Sequence, residues 1–199
     1  KGILEAERQL DVQVAQGGEH PSQGTANAII PMAGGLYWEI LGPNPKNETT
    51  VGLGEWAAKL STPDLVSFAV STKDFEHIQN NANSLGLAVS KISNGSRITP
   101  EGKLLNWRTI RLSDERYRGL IPFFIDWGDS QHPSESGPAI ASVRYVVALH
   151  PDAEGLRRVY KALGIDIPVH SSNKPGLIVC LETGRNTVIF QGSASGIPA

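Results

Sequence analysis

Apolar and polar positions along this chain repeat a pattern. A short amphipathic helix ends at a hydrophobic-Gly-hydrophobic stop, and three strand-like runs follow and finish near a glycine. The pattern is clearest in Asp64–Gly128 and Ser142–Gly192. In the latter, Val143–Leu149 is rich in β-branched and aromatic residues and suits a strand. His150-Pro151-Asp152 halts it and offers Asp152 as a helix N-cap. Leu156, Val159, Tyr160 and Leu163 recur at helical spacing, and Gly164 suits the position just past a helix end. Strands are then expected at Ile167–His170, Leu177–Glu182 and Thr187–Gln191.

The middle copy keeps this order. Leu65–Val70 reads as a strand, Ser71 or Thr72 as a cap, and Phe75, Ile78, Ala82 and Leu85 as the apolar stripe of a helix ended by Gly86. Strands are expected at Val89–Ile92, Leu104–Leu112 and Ile121–Trp127, with Pro122 marking an edge or a bulge. The first copy starts with a helix over Ile3–Leu10, in which Leu10-Asp11-Val12 takes the place of Leu85-Gly86-Leu87 and Leu163-Gly164-Ile165. Strands fit Gln13–Gln16, Asn27–Pro31 and Leu36–Leu41. No strand precedes the first helix, so the chain reads as lacking the segment that would carry it, the alternative being that this copy differs from the others. The expected organisation is a first βαβββ module over 1–45, a linker with a short helix over 46–63, and a second module over 64–130. A linker over 131–141 and a third module over 142–193 follow. The fold class is α+β, with tandem βαβββ modules forming curved mixed sheets. A curled unit of this kind cannot cover its own inner face, so units pair and the space between them takes small molecules.

Composition narrows the partners. A formal net charge of -2 without a Lys/Arg run speaks against nucleic acid. No stretch approaches the roughly 18–20 apolar residues that span a bilayer, so no membrane is expected. Cys180 is the single cysteine and cannot form an internal disulfide; with no signal-peptide pattern, a cytoplasmic location is expected. The glycosylation triplets at Asn47 and Asn94 read as chance matches.

Three stretches could carry chemistry. Gly17–Asn27 is polar and glycine-rich between two core strands; within it His20 can exchange a proton near neutral pH and Asn27 can orient a carbonyl or hydroxyl. A hairpin with a surface histidine is the plainer alternative. In Tyr37-Trp38-Glu39-Ile40-Leu41, alternation puts Tyr37, Glu39 and Leu41 on one face and Trp38 and Ile40 on the other. A carboxylate there is costly unless it is paired, metal-bound or facing water, although an edge-strand Glu in solvent would also account for it. Phe123–Pro133 runs from an apolar strand into Asp126, Trp127, Asp129 and His132, a ligand mouth or a loop with an Asx turn at Asp129. Trp107 and Arg108 stand nearby; an Arg on a strand suits an anionic ligand group or a cross-strand ion pair. His77, His150 and His170 have plainer structural explanations.

These stretches together resemble a known family. Gly17-Gly18-x-His20-Pro21-x-x-Gly24-Thr25-x-Asn27, then Tyr37-x-Glu39-Ile40-Leu41-Gly42-Pro43, then Pro122-Phe123-Phe124-Ile125-Asp126-Trp127-Gly128 with His132-Pro133, resemble the glyoxalase-like domain family. That family lies in the vicinal oxygen chelate superfamily. The resemblance extends from the first helix to Gly192 and implies paired modules cupped around a small molecule. It further implies a divalent metal held by His, Gln or Glu from the outer strands, with only Glu39 matching; the corresponding places hold Ser67, Tyr145 and Ile189, and Ala26 replaces a frequent His. A divalent cofactor is therefore expected only with an incomplete ligand set, and its identity stays open. The leading expectation is an enzyme for isomerisation, lyase chemistry or cleavage of a compact oxygenated substrate. His20 would serve as acid/base, Glu39 as base or sole metal ligand, and His132 as a second proton carrier, while Asn27, Arg108, Asp126 and Trp127 position the substrate. The alternative is a protein that sequesters a small molecule without turning it over, with Trp107, Trp127 and Tyr37 as a stacking surface. A third is an interaction module with a filled cup. Paired modules are also compatible with a homodimer.

Overall fold

The computed structural model describes residues 1–20, 23–46, 52–99 and 101–197. The sequon at Asn47 lies outside them. Helix α1 (Gly2–Leu10) leads into strands β1 (Ala15–His20), β2 (Thr25–Met32) and β3 (Leu36–Pro43), and then to α2 (Gly52–Ala58). Strand β4 (Ala69–Ser71), helix α3 (Phe75–Ser84), and strands β5 (Ala88–Val89), β6 (Ser93–Ile98), β7 (Leu104–Ser113) and β8 (Phe123–Asp126) come next. Strand β9 (Ser142–His150), helix α4 (Ala153–Ala162), and strands β10 (Val169–Ser171), β11 (Gly176–Glu182) and β12 (Thr187–Gly192) complete the described chain. The mixed α+β class and the curled sheets expected from the repeat are present.

The three helix stops share one geometry. Asp11, Gly86 and Gly164 all take the left-handed conformation, at φ 53°, 70° and 70°. That conformation frees the chain to leave the helix, and Asp tolerates it better than most residues with a Cβ. Asp152 caps α4 by accepting from the Gly155 N–H at 2.9 Å, as expected. The cap of α3 is Asp74, which accepts from the His77 N–H, whereas Thr72 accepts from the Asp74 N–H one turn earlier. Ser71 is the last residue of β4.

The first two modules share one sheet in the order β3-β2-β1-β6-β7-β8-β4, with β5 on β7. In the second module the first and last strands, β4 and β8, run parallel. Strand β8 is thus interior, and Pro122 sits just before it, where no ladder donor is needed. The third unit keeps the element order but not this topology. It forms a separate four-stranded sheet, β10-β9-β11-β12, and does not extend the first. Its parallel pair is β9 with β10, because the chain returns beside β9 directly after α4. Arg157 on α4 holds that return by donating from Nε and Nη2 to the Val169 carbonyl at 3.1 and 2.7 Å.

Helices α1, α3 and α4 form a layer between the two sheets. Ala6 and Leu10 pack against Ile30 and Met32 of one sheet and Val179 and Leu181 of the other. Phe75, Ile78, Leu156, Val159 and Tyr160 join Ile110, Phe124, Ala148 and Leu177 in the second core. His150, buried, bonds through Nε2 to the Arg116 carbonyl at 2.9 Å and accepts from the Asp152 N–H, so its role is structural. Leu156 is fully buried in this layer. Leu156→Ala is expected to cost about 2–5 kcal/mol, read as a lower urea midpoint, because both sheets lose contacts at once.

Candidate functional site

Cross-strand register decides which side chains share a face. Asn27, Ile29 and Pro31 stand opposite Leu41, Glu39 and Tyr37, while Ile30, Met32, Trp38 and Ile40 pack with α1. Thr109 and Arg111 stand opposite Ile125 and Phe123, while Ile110, Leu112 and Phe124 pack with α3. The helix-free face therefore carries Asn27, Tyr37 and Glu39 from one module and Trp107 and Trp127 from the other. Strand β3 lies five places from β8, about 24 Å across a flat sheet at ~4.8 Å per strand. The rings of Tyr37 and Trp127 are nonetheless 6.3 Å apart. The sheet curls over on its helix-free face and makes a cup.

The cup has a polar floor built on a backbone irregularity. Register between β1 and β2 shifts between Gln16 and Glu19, which makes Gly17-Gly18 a bulge. The Gly18 N–H finds its acceptor in Asn27 Oδ1 at 2.7 Å. Asn27 Nδ2 in turn donates to Glu39 Oε1 at 2.6 Å. A Cβ on Gly17 would overlap Asn27 Oδ1, so glycine is what lets the carboxamide lie against this backbone. His20 follows the bulge, pairs with Thr25 in the ladder, and is 7 % exposed. Its Nδ1 is 3.0 Å from Thr25 Oγ1, and its Nε2 has no hydrogen-bond partner among the described residues. Glu39 is exposed, on the edge strand of the sheet and on the cup face at once.

Arg97 completes the floor. It pairs with Leu105 as Gly95 pairs with Trp107, which places Arg97 and Trp107 on the same face. A Cβ on Gly95 would overlap the Trp107 indole, so this glycine seats the ring. Rings then line the cup in a row. Centroid separations are 6.0 Å for His20–Trp107, 5.1 Å for Trp107–Trp127 and 5.4 Å for Tyr37–His132. The buried Trp127 indole N–H has the Tyr37 hydroxyl near it but no partner at full hydrogen-bond geometry among the described residues.

Electrostatics follow from this crowding. Burial pushes the His20 pKa below its ordinary value; Glu39 opposes the shift and Arg97 adds to it. Burial also raises Tyr37, with Glu39 adding to the shift, and lowers Arg97 against the pull of Glu39, Tyr37 and Glu101. His132 is lowered by burial as well. Its Nδ1 accepts from the Ser134 N–H at 3.3 Å, lies 2.7 Å from Ser134 Oγ, and caps the 3₁₀ turn at Pro133–Glu135.

The structure thus brings His20, Asn27, Glu39, Trp127 and His132 to one cup. It keeps Arg108 and Asp126 out of it. These two stand opposite each other on the helix side, with Arg108 Nη2 2.5 Å from Asp126 Oδ2 and the guanidinium 5.4 Å from the Phe75 ring centroid. The turn expected from Asp129 is made by Asp126, which accepts from the Gly128 N–H. Two open surface depressions, one beside Tyr160 and Gly164 and one beside Asp64 and Gln191, contain no histidine.

A divalent metal needs several oxygen or imidazole donors converging on one point. No group of three His, Cys, Asp or Glu side chains converges among the described residues. Asn27 occupies one oxygen of Glu39, and the Arg97 charge bears on the same carboxylate. The described residues do not fit a divalent metal. Arg97 is the residue that sequence reasoning missed: the strand was expected at Val89–Ile92, whereas the polar run Ser93–Ile98 is the strand that carries it. The usable signal was the alternation of Gly95 and Arg97, one small and one charged, on a single face.

Residues 1–164 match the model of a glyoxalase-like domain family. Among solved structures, a hypothetical protein from Staphylococcus aureus is similar at a TM-score of 0.58 and 17% identity, covering 90% of this chain and 76% of that one. At that identity the likeness bears on the fold alone. A second structure, of SMU.1112c, is 16% identical over 62% of this chain and 87% of that one, at a TM-score of 0.21 too low to bear on the fold. No curated protein matches the chain.

The His20 shift has a consequence for stability. Unfolded His20 takes up its proton near pH ~6.5, whereas the folded protein resists doing so. Stability is therefore fully present above that pH and is lost as the pH falls from it toward the folded pKa. His132 acts with the same sign. Urea midpoints at pH 7.5, 6.5 and 5.5 are expected to fall in that order. In His20→Gln the fall should be shallower, and in Glu39→Gln steeper, because Glu39 holds the His20 pKa up.

Proposed function

We propose the following reading for this chain, which belongs to the glyoxalase-like domain family: it is a small-molecule enzyme that moves a proton on a compact oxygenated substrate, with His20 as the base. The observation that carries it is a buried histidine, kept neutral by that burial, on the same cup face as the Asn27–Glu39 pair. A neutral imidazole accepts a proton only through the nitrogen bearing the lone pair. In the tautomer whose Nδ1–H donates to Thr25 Oγ1, that nitrogen is Nε2. It would take a proton from a carbon next to a carbonyl. The imidazolium that forms is stabilised by Glu39, whose charge already raises the His20 pKa. Asn27 fixes the Glu39 carboxylate for that task. The His20 imidazolium then returns that proton to the substrate, His132 in the same row of rings is the second group that can carry a proton, and Trp127 offers a flat surface for the substrate. Glu39 is here a charge partner instead of a metal ligand.

A second reading rests on the row of rings. Tyr37, Trp107, Trp127 and His132 give a stacking surface that would suit a protein that holds a flat molecule without changing it.

Hydroxyacetone, dihydroxyacetone and pyruvate in deuterated water separate the two. Carbon-bound protons next to the carbonyl are expected to exchange faster with the protein than in buffer, as followed by proton NMR. His20→Gln, with its circular dichroism unchanged, is expected to slow that exchange about 10²–10⁴-fold. Binding of these compounds without exchange would sink the enzyme and leave the binding protein.

A further inference from the structure

Arg97 is 5 % exposed and makes no ion pair or hydrogen bond among the described residues. The guanidinium nitrogens keep some contact with water, since Trp127 Nε1 is the fully buried side-chain nitrogen without a partner among the described residues. A charge held in so small an opening still favours an anion over solvent, and Arg stays charged in proteins. Its seat is nevertheless built for it. A Cβ on Gly18 would stand 2.9 Å from Arg97 Nη1 and 3.0 Å from its Cδ, so the bulge glycine makes room for this side chain. The charged and titratable groups acting on it are Glu39, Glu101, Tyr37 and His20; none lies within ion-pair distance. A second donor without a partner among the described residues belongs to the same cup, the buried Trp127 indole N–H.

We infer that Arg97 is an anion-binding residue of the cup, and that its ligand is the carboxylate of a flat, aromatic or conjugated acid lying against Trp107 and Trp127. The inference rests on the reading that the cup holds a small molecule, and deepens it by naming the substrate class. Arg presents paired N–H donors that match the two oxygens of a carboxylate. The rings 5.1 Å apart beside it suit a planar body. Phosphate fits less well. The site has no helix N-terminus of the kind that cradles phosphate, and Glu39 on the same face penalises a second negative charge. Arg111, the other arginine of the face, is engaged over the Phe123 ring at 5.4 Å.

Benzoate, benzamide and phenyl phosphate are the probes, with intrinsic tryptophan fluorescence and calorimetry as readouts. Benzoate is expected to bind about tenfold or more tightly than benzamide. Arg97→Met is expected to abolish that preference, Arg97→Lys to keep part of it, and Arg111→Met to keep it whole. The melting temperature of Arg97→Met should hold or rise, since a buried charge without a partner is removed. Should that variant fail to fold, the wild-type comparison and Arg97→Lys still decide. Equal binding of benzoate and benzamide, a preference that survives Arg97→Met, or phenyl phosphate binding more tightly than benzoate would overturn the assignment. Benzoate preference without deuterium exchange keeps the anion site and removes the enzyme. His20-dependent exchange without benzoate preference does the reverse.

Discussion

The Asn27 carboxamide is the interaction on which the cup depends. Its oxygen satisfies the Gly18 N–H that the bulge turns out of the ladder, and its nitrogen holds Glu39. Hydrogen bonds to charged groups are worth about 1.5–3 kcal/mol, and a buried donor left without one costs a comparable amount. One side chain therefore fixes the bend of β1, the position of His20 just beyond it, and the orientation of the carboxylate across from it. The two glycines of the bulge serve the same end from opposite sides: Gly17 admits Asn27, and Gly18 admits Arg97. Polar chemistry in this molecule is placed by backbone geometry more than by side-chain pairing.

The helical layer explains why the third unit repeats the element order of the second without its topology. The inner face of its sheet, Ala148, Leu177, Val179 and Leu181, meets α1, α3 and α4 in continuous cores with the larger sheet. A sheet packed on helices in this way must present one apolar face and keep strands adjacent. Within that constraint the returning strand β10 lies beside β9. Thr183 and Asn186, in the β11–β12 turn, reach the carbonyls of Leu10 and Gln9 and tie the last unit to the first helix.

Much of this was legible in the chain because it is local. Helix stripes, stops and caps follow from spacings of three and four residues, and the left-handed stops at Asp11, Gly86 and Gly164 line up as the repeat required. His20, Asn27 and Glu39 stood out as polar groups in apolar surroundings, and they share one face. Pairing between distant strands was not legible. The facing of Arg108 and Asp126 depends on the β7–β8 register, and the burial of Arg97 depends on how β6 meets β1. Strand β6, Ser93–Ile98, has little apolar signal; its neighbours hold it in the sheet. The cap at Asp74 was missed because β4 is shorter than its apolar run and the helix starts later.

Among the described residues the ladder between β1 and β6 is short, with Glu19 opposite Ile98. The two modules also meet edge to face through rings, Tyr37 against Trp127 and His20 against Trp107, and through the Arg97 side chain against Gly18. Edge-to-face rings shift past one another without the directional penalty of broken ladder bonds. A seam made this way can yield with few backbone hydrogen bonds strained, and a guest that is itself a flat ring replaces the contacts it displaces.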